Sequence, residues 1–259
     1  MIEIDQIYNE DCLEGMKRID DGSVDCIITD LPYGTTACQW DSVIPFEPLW
    51  EQYRRITKPN AAIVLFGSEP FSSALRMSNI KEYRYDWYWR KPKGTGFLNA
   101  QIQPLRDIET ISVFYRQQPT YNPQFTKGSP YTSAKGGKEI KDRGNTTTAY
   151  GDFKTGEGCQ NDNPGIRYPR QCVDFNTAID YIGHPTQKPV DLLRYLVLTY
   201  TNEGNLVLDA TIGSGTTAIA CLKERRHFLG FELNKEYFDI AQRRIALERS
   251  QPTLDFGDG

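Results

Sequence analysis

The sequence predicts an α/β protein built on a largely parallel sheet, and three observations carry that expectation. Short apolar runs of strand composition alternate with segments of helical spacing from residue 2 to about residue 116. The alternation lapses and then resumes from residue 183 to about 249. At 206–217 an apolar run ends in Asp209 and a glycine-rich turn that opens a helix, the join expected of a βα unit that approaches a ligand closely.

Each element has its own signal. Residues 24–29 (Val-Asp-Cys-Ile-Ile-Thr) form an apolar run directly after an Asp20-Asp21-Gly22-Ser23 turn, as a buried strand does. Phe46, Leu49, Trp50, Tyr53 and Ile56 fall on one face of a helix over 46–56. Residues 61–66 repeat the buried-strand pattern and 69–77 the helical one. Residues 83–90 and 110–116, rich in aromatic and β-branched side chains, read as strands. After the lapse come an apolar helix at 190–200, a strand at 206–209 and a helix through Ala220 and Leu222. A strand at 227–232 and a helix at 235–248 follow, and 250–259 reads as a frayed tail.

The lapse itself, 117–182, is dense in Gly, Pro, Asn, Thr and Lys. Some sixty residues without periodicity are unusual inside a compact domain, so the stretch is either disordered or an inserted functional module. The expected organisation is therefore 1–116, an insertion at 117–182, a second half at 183–249, and the tail.

Composition narrows the function classes. Lys and Arg number 30 against 34 Asp and Glu, a net charge of -4, which argues against a uniformly basic nucleic-acid coat or a polybasic membrane binder. Mean hydropathy is -0.56, and no apolar run approaches the roughly 18 residues of a spanning helix. The acidic, alternating start Met1-Ile2-Glu3-Ile4-Asp5 is unlike a signal peptide, so no membrane association and a cytoplasmic location are expected. Six scattered cysteines without a C-x-x-C pair, and only two histidines, read as reduced thiols and give no metal site.

Three motifs carry chemistry. In the first, Asp209-Ala210-Thr211-Ile212-Gly213-Ser214-Gly215-Thr216-Thr217, glycines let a ligand near the backbone and the helix start offers free N–H groups. No Lys follows, so phosphate transfer is disfavoured. Glu232 lies 23 residues after Asp209 at the end of the next strand, where an acid accepts hydrogen bonds from ribose hydroxyls. The second, Asp30-Leu31-Pro32-Tyr33-Gly34, is either a simple strand exit or a socket for a planar amine. In the socket, Asp30 and the Leu31 carbonyl accept the amine N–H groups and Tyr33 stacks on the ring. The third, His184-Pro185-Thr186-Gln187-Lys188-Pro189, starts a helix and offers a hydroxyl, an amide and a cation to a carboxylate.

Together these segments resemble the S-adenosylmethionine-dependent amino-methyltransferases of DNA. Asp30-Leu31-Pro32-Tyr33 resembles the family's catalytic tetrapeptide, which usually has Pro second. The glycine segment resembles its cofactor loop, 184–189 its carboxylate-binding segment, and Asn9-Glu10-Asp11-Cys12-Leu13 the segment beside the cofactor's adenine. The catalytic motif precedes the irregular stretch and the cofactor loop follows it, an order similar to the family's beta class, in which the middle recognises the target. Two positions depart from the pattern: Leu31 acts through its backbone carbonyl, and Ala210-Thr211 replaces a usual Pro-Phe pair, removing an aromatic wall.

The resemblance implies a Rossmann-like methyltransferase fold with a mixed, mostly parallel sheet, a catalytic half at 1–116, a target-recognition insertion at 117–182 and a cofactor half at 183–249. It implies S-adenosylmethionine as cofactor, held by Asp11, Cys12, Thr186, Gln187, Lys188, Asp209, Ala210, Thr211, Gly213, Ser214, Gly215, Thr216, Glu232 and Leu233. Its catalytic residues map onto Asp30, Leu31, Pro32 and Tyr33, with Asp at the first place leaning toward N(6)-adenine over N(4)-cytosine. The target base would be flipped out of duplex DNA. RNA or protein amino-methylation, and a non-catalytic DNA-binding protein, are the rival readings. A homodimer and a separate restriction endonuclease are partners the resemblance leaves open.

DNA contact is expected from Lys91, Lys93, Lys127, Lys135, Lys138, Lys141, Arg143, Arg167 and Arg170, as a set rather than singly. Residues 81–176 hold 15 Lys and Arg against 10 Asp and Glu, whereas the rest holds 15 against 24. The acidic balance thus belongs to the core, and the region assigned to DNA is basic.

Overall fold

The computed structural model describes residues 2–34, 42–133, 161–177 and 187–251. In chain order the elements are β1 (Gln6–Tyr8), α1 (Cys12–Met16), β2 (Val24–Thr29), α2 (Phe46–Ile56), β3 (Thr57–Gly67), α3 (Phe71–Ser78) and β4 (Tyr83–Thr95). A single turn of 3-10 helix (Phe97–Asn99), β5 (Arg106–Phe114), β6 (Thr126–Lys127), β7 (Tyr131–Ser133), β8 (Asn161–Asn163), β9 (Ile166–Arg167) and β10 (Cys172–Asp174) follow. The chain then runs through α4 (Val190–Tyr200), β11 (Leu206–Asp209), α5 (Thr216–Lys223), β12 (His227–Phe231) and α6 (Lys235–Ser250).

Eight strands form one sheet in the order β1-β12-β11-β2-β3-β5-β4-β10. β5 pairs antiparallel with both neighbours and every other pairing is parallel, so the sheet is mixed and mostly parallel as the sequence predicts. Side chains of the central strands alternate between its faces. Ala62, Val64 and Phe66 join one buried cluster with Leu192, Leu196, Val197 and Ala218, whereas Ile63 and Leu65 join the other with Leu49, Tyr53 and Ile56. Helices α4, α5 and α6 therefore cover one face and α1, α2 and α3 the opposite one. The apolar stripe of α2 is buried as its spacing requires, with Leu49, Trp50, Tyr53 and Ile56 at 0–2% exposure.

β4 and β5 are longer than the apolar runs that announced them. Their pairing continues past Arg90↔Ile108 to Thr95↔Arg106, carrying polar residues that periodicity alone does not mark as strand. The irregular stretch also divides differently from the expected 117–182. Cys172–Asp174 pairs in register with Tyr88–Arg90 at the edge of the main sheet. Asn122 donates its side-chain amide to the carbonyls of Leu198 and Thr201, closing the end of α4.

Residues 123–169 make a separate compact unit. Within it β6 pairs with β9 and β7 with β8, both antiparallel, and Phe125 meets Tyr168 edge-on at 5.0 Å. Local antiparallel pairs joined through Gly128 and Gly165 supply its order, and such pairs are too short to announce themselves by periodicity. Among the described residues no helix is long and apolar enough to cross a membrane.

Candidate active site

β2 and β11 lie side by side at the middle of the sheet, and their exits diverge. From β11 the chain passes through α5 to β12 on one side, and from β2 through α2 to β3 on the other. Such a switch point opens a crevice at the carboxyl ends of the strands. A cavity of about 820 Å³ occupies it. It is lined by Asp11, Cys12, Asp30, Leu31, Pro32, Tyr33, Lys91, Lys93, Glu109, Gln187, Lys188, Asp209, Ala210, Thr211, Gly213, Ser214, Thr216, Glu232 and Leu233. The volume suits a nucleoside-sized ligand, since small-molecule sites run about 300–1,000 Å³.

The two strand exits are tied to each other. The Ala210 amide donates to Thr29 Oγ1 at 3.1 Å, and Thr211 Oγ1 donates to the Asp30 carbonyl at 2.8 Å. Asp30 follows β2, which is buried at every residue but Asp25, and Leu31 anchors the exit with 3% exposure. Tyr33 packs its ring on Phe71 at 5.0 Å, which in turn meets Phe46 at 5.7 Å. Its hydroxyl donates to Asp30 Oδ1 at 2.5 Å and lies 3.2 Å from Glu109 Oε1.

A chain of alternating charges surrounds Asp30. Lys188 Nζ is ion-paired with Asp30 Oδ2 and lies 3.0 Å from Glu109 Oε1, while Lys91 Nζ is 2.6 Å from Glu109 Oε2. Burial pushes the Asp30 carboxyl up, and the neighbouring Glu109 charge adds to this against the opposing pull of Lys188. Burial pushes Glu109 up too, but Lys188 and Lys91 outweigh it and hold its carboxyl below the usual range. Lys188 stays a cation, because the attraction of two carboxylates exceeds the effect of its burial.

Two of the expected site residues have partners within the chain. Lys188, expected to offer its cation to a ligand carboxylate, pairs with Asp30 and Glu109, because β5 brings a second buried acid beside it. Lys91, expected to face DNA, pairs with that acid and lies over the Trp89 ring at 4.9 Å. Glu109 itself was missed. Nothing local sets it apart from Asp107 two residues earlier; only the fold shows that the pleat turns the Glu109 side chain inward.

The glycine turn is built for backbone approach. Gly213 and Gly215 have φ of +54° and +83°, conformations a side chain disfavours; Gly213 lines the cavity, whereas Gly215, expected beside the cofactor, faces Ala241 of α6. Arg244 of α6 braces the turn, donating to the Ser214 carbonyl at 2.6 Å, to Ser214 Oγ at 3.0 Å and to Thr216 Oγ1 at 3.2 Å. Glu232 accepts the Gly213 amide at 2.9 Å and the Asn234 amide at 2.7 Å, leaving further lone pairs on its carboxylate. Asp209 accepts from Thr217 Oγ1 at 2.6 Å and from the Thr211 amide, and burial above all raises its carboxyl to about 7. Asp11 caps α1 through the Leu13 and Glu14 amides. Burial, reinforced by Asp11, pushes the Cys12 thiol up to about 12, which leaves it unreactive near neutrality.

Of the remaining expected residues, Gln187 lines the cavity and Leu233 lies exposed at its rim. Lys93 and Arg170 are exposed. Lys127 is exposed in the smaller unit. Arg167 is occupied within that unit, bonding Asn163 Oδ1 at 2.7 Å and the Ser129 carbonyl, and covering the Tyr131 ring at 4.8 Å. Thr186, Lys135, Lys138, Lys141 and Arg143 lie outside the described residues.

The strand order, the switch-point crevice and the braced glycine turn define a Rossmann-like methyltransferase fold. The chain belongs to the DNA methylase family, whose sequence profile matches residues 24–243. It is 28% identical to the DNA adenine methyltransferase YhdJ of Escherichia coli strain K12, over 94% of this chain and 83% of that protein. The crystal structure of an M1.HpyAVI–SAM complex superposes with a TM-score of 0.60 at 23% identity, covering 92% of this chain and 98% of that one. The cytosine-N4-specific PvuII DNA methyltransferase superposes at 0.65 with 14% identity, covering 96% and 87%.

Proposed function

We propose that the protein transfers a methyl group from S-adenosylmethionine to the exocyclic amine of a flipped-out adenine in duplex DNA. The observation that carries this reading is the meeting of Asp30 with the glycine turn and Glu232 in one cavity. The donor set fits the cofactor: Glu232 has lone pairs for ribose hydroxyls, Asp11 lines the same wall, and the positive-φ glycines keep the turn open. When bound, the cofactor supplies a methyl already activated on a sulfonium, so the protein's task is chiefly to position and orient.

Both Asp30 oxygens are engaged, one by Tyr33 and one by Lys188. A target amine competes with these donors for the lone pairs of the carboxylate. The Tyr33 hydroxyl is the weaker, neutral one, and its release frees the ring to lie against the base. Lys188 retains Glu109 as a partner while Asp30 accepts the amine N–H. A carboxylate there stabilises positive charge developing on the nitrogen. The base must leave its stack to reach this depth.

N(4)-cytosine is the second reading, favoured by the structural likeness to the cytosine-N4-specific PvuII methyltransferase. The deciding experiment incubates the protein with labelled S-adenosylmethionine and either unmethylated plasmid DNA or RNA, then identifies modified nucleosides by mass spectrometry. N(6)-methyl-2′-deoxyadenosine is expected. N(4)-methyl-2′-deoxycytidine selects the second reading, and label in RNA but not DNA overturns both.

A further inference from the structure

Between Lys93 and Arg106 lie twelve residues with no charge at all, Gly-Thr-Gly-Phe-Leu-Asn-Ala-Gln-Ile-Gln-Pro-Leu. They form the tip of the β4–β5 ribbon, whose last pairing is Thr95↔Arg106. A soluble protein ordinarily tucks such side chains inward, yet here Phe97, Leu98 and Ile102 are 70%, 102% and 82% exposed. The tip is shaped, not slack: Gly96 enters it at φ +91°, and the Phe97–Asn99 turn is closed by backbone bonds from Ala100 to Phe97 and from Asn99 to Gly96.

Its position relates to the cavity. The ribbon that carries the tip also supplies Lys91, Lys93, Arg106 and Glu109 to the cavity wall. Glu109 lies three residues after Arg106 of the ribbon's last pair, about 10 Å along an antiparallel strand.

We propose that Phe97 and Leu98 are the wedge that enters the base stack and fills the space the flipped base leaves. Apolar side chains inserted between base steps are a recurrent means of opening a duplex, and a vacated stack is an apolar slot of matching chemistry. The exposed cations Lys93 and Arg106 flank the tip where phosphates on either side of the slot would lie, and no acid stands between them. A second copy of the chain fits less well, because a twelve-residue tip falls short of the roughly 20–30 residues a side of a stable interface.

This inference rests on the proposed DNA methylation and is tested apart from it. The double variant Phe97→Ala, Leu98→Ala is compared with the unaltered protein on sheared, unmethylated plasmid DNA, native and heat-denatured, by transfer of labelled methyl. Single strands need no opening. The variant is expected to lose about tenfold or more in kcat/KM on native duplex. On denatured strands it should stay within about twofold of the unaltered protein, with unchanged cofactor affinity. Leu98→Met, which keeps an apolar wedge, should retain most duplex activity. Equal activity of the double variant on duplex, equal losses on both DNA forms, or dissociation of a dimer on ultracentrifugation overturns the wedge. An unaltered protein that labels neither DNA form overturns the wedge and the underlying reading together.

Discussion

Lys188 holds Glu109 at 3.0 Å while also pairing with Asp30, so one ammonium is shared between two buried carboxylates. Removing the Glu109 charge leaves Lys188 bound to Asp30 alone, so the ammonium draws more of the Asp30 charge away from the target amine that replaces the Tyr33 hydroxyl. Glu109→Gln should lower kcat by about 10- to 100-fold, the effect of roughly 1.4–3 kcal/mol on a barrier. Cofactor affinity measured by calorimetry should be unchanged, and Glu109→Asp should recover part of the rate. A weakened cofactor with unchanged kcat would place Lys188 on the cofactor instead.

Asp30 sits at the strand exit with both oxygens serving as acceptors. Asp30→Asn preserves the shape but removes the charge and puts an NH₂ against Lys188 and the incoming amine. Methyl transfer should fall by at least about 10³-fold, in the range seen when a preorganised charge partner is lost. Binding of S-adenosylmethionine should persist, because the glycine turn and Glu232 are untouched. Turnover within tenfold of the unaltered protein excludes Asp30 from the reaction.

Asp209 supplies a pH signature. Its folded carboxyl titrates near 7, above the ordinary value of 3.8, chiefly because it is buried. The folded chain therefore holds a proton there that the unfolded chain has released, so stability falls as pH rises from about 4 to about 7 and levels off above. The slope from one such proton is about 1.4 kcal/mol per pH unit. Asp209→Asn should flatten the dependence of urea midpoints across pH 5–7 relative to the unaltered chain. Parallel curves would show that Asp209 is ionised throughout.

How far this architecture was legible in the sequence depends on which force shaped each element. The buried strands β2, β3, β11 and β12, and helix α2, declare themselves because burial demands an apolar period that local sequence displays. The strand–glycine–helix turn and Glu232 are legible because backbone conformation and strand-end chemistry restrict residue choice. Glu109 and Arg244 are silent: each acts through partners 79 and 30 residues away, Lys188 and Ser214, and nothing local marks a side chain for a distant ion pair or carbonyl. β10 is equally silent, since three residues at a sheet edge carry no period.

Ala210-Thr211, the departure from the usual Pro-Phe pair, has a consequence that only the fold exposes. Thr211 Oγ1 donates to the Asp30 carbonyl at 2.8 Å, so the altered residue holds the Asp30 exit from the side of the glycine turn. A proline at position 210 could not donate the amide that now bonds Thr29 Oγ1 at 3.1 Å, so the substituted pair supplies two cross-strand ties. Thr211→Val keeps the shape and removes one tie, at a net cost of about 1 kcal/mol. In a chain of this size that corresponds to a loss of about 2–4 °C in Tm. If the tie also aims Asp30, kcat should fall several-fold beyond what the lower stability explains at 25 °C, where the variant remains folded. Thr211→Val should then add nothing to the loss already caused by Asp30→Asn, a non-additivity that a purely structural role does not produce. Additive losses in the double variant confine Thr211 to holding the fold.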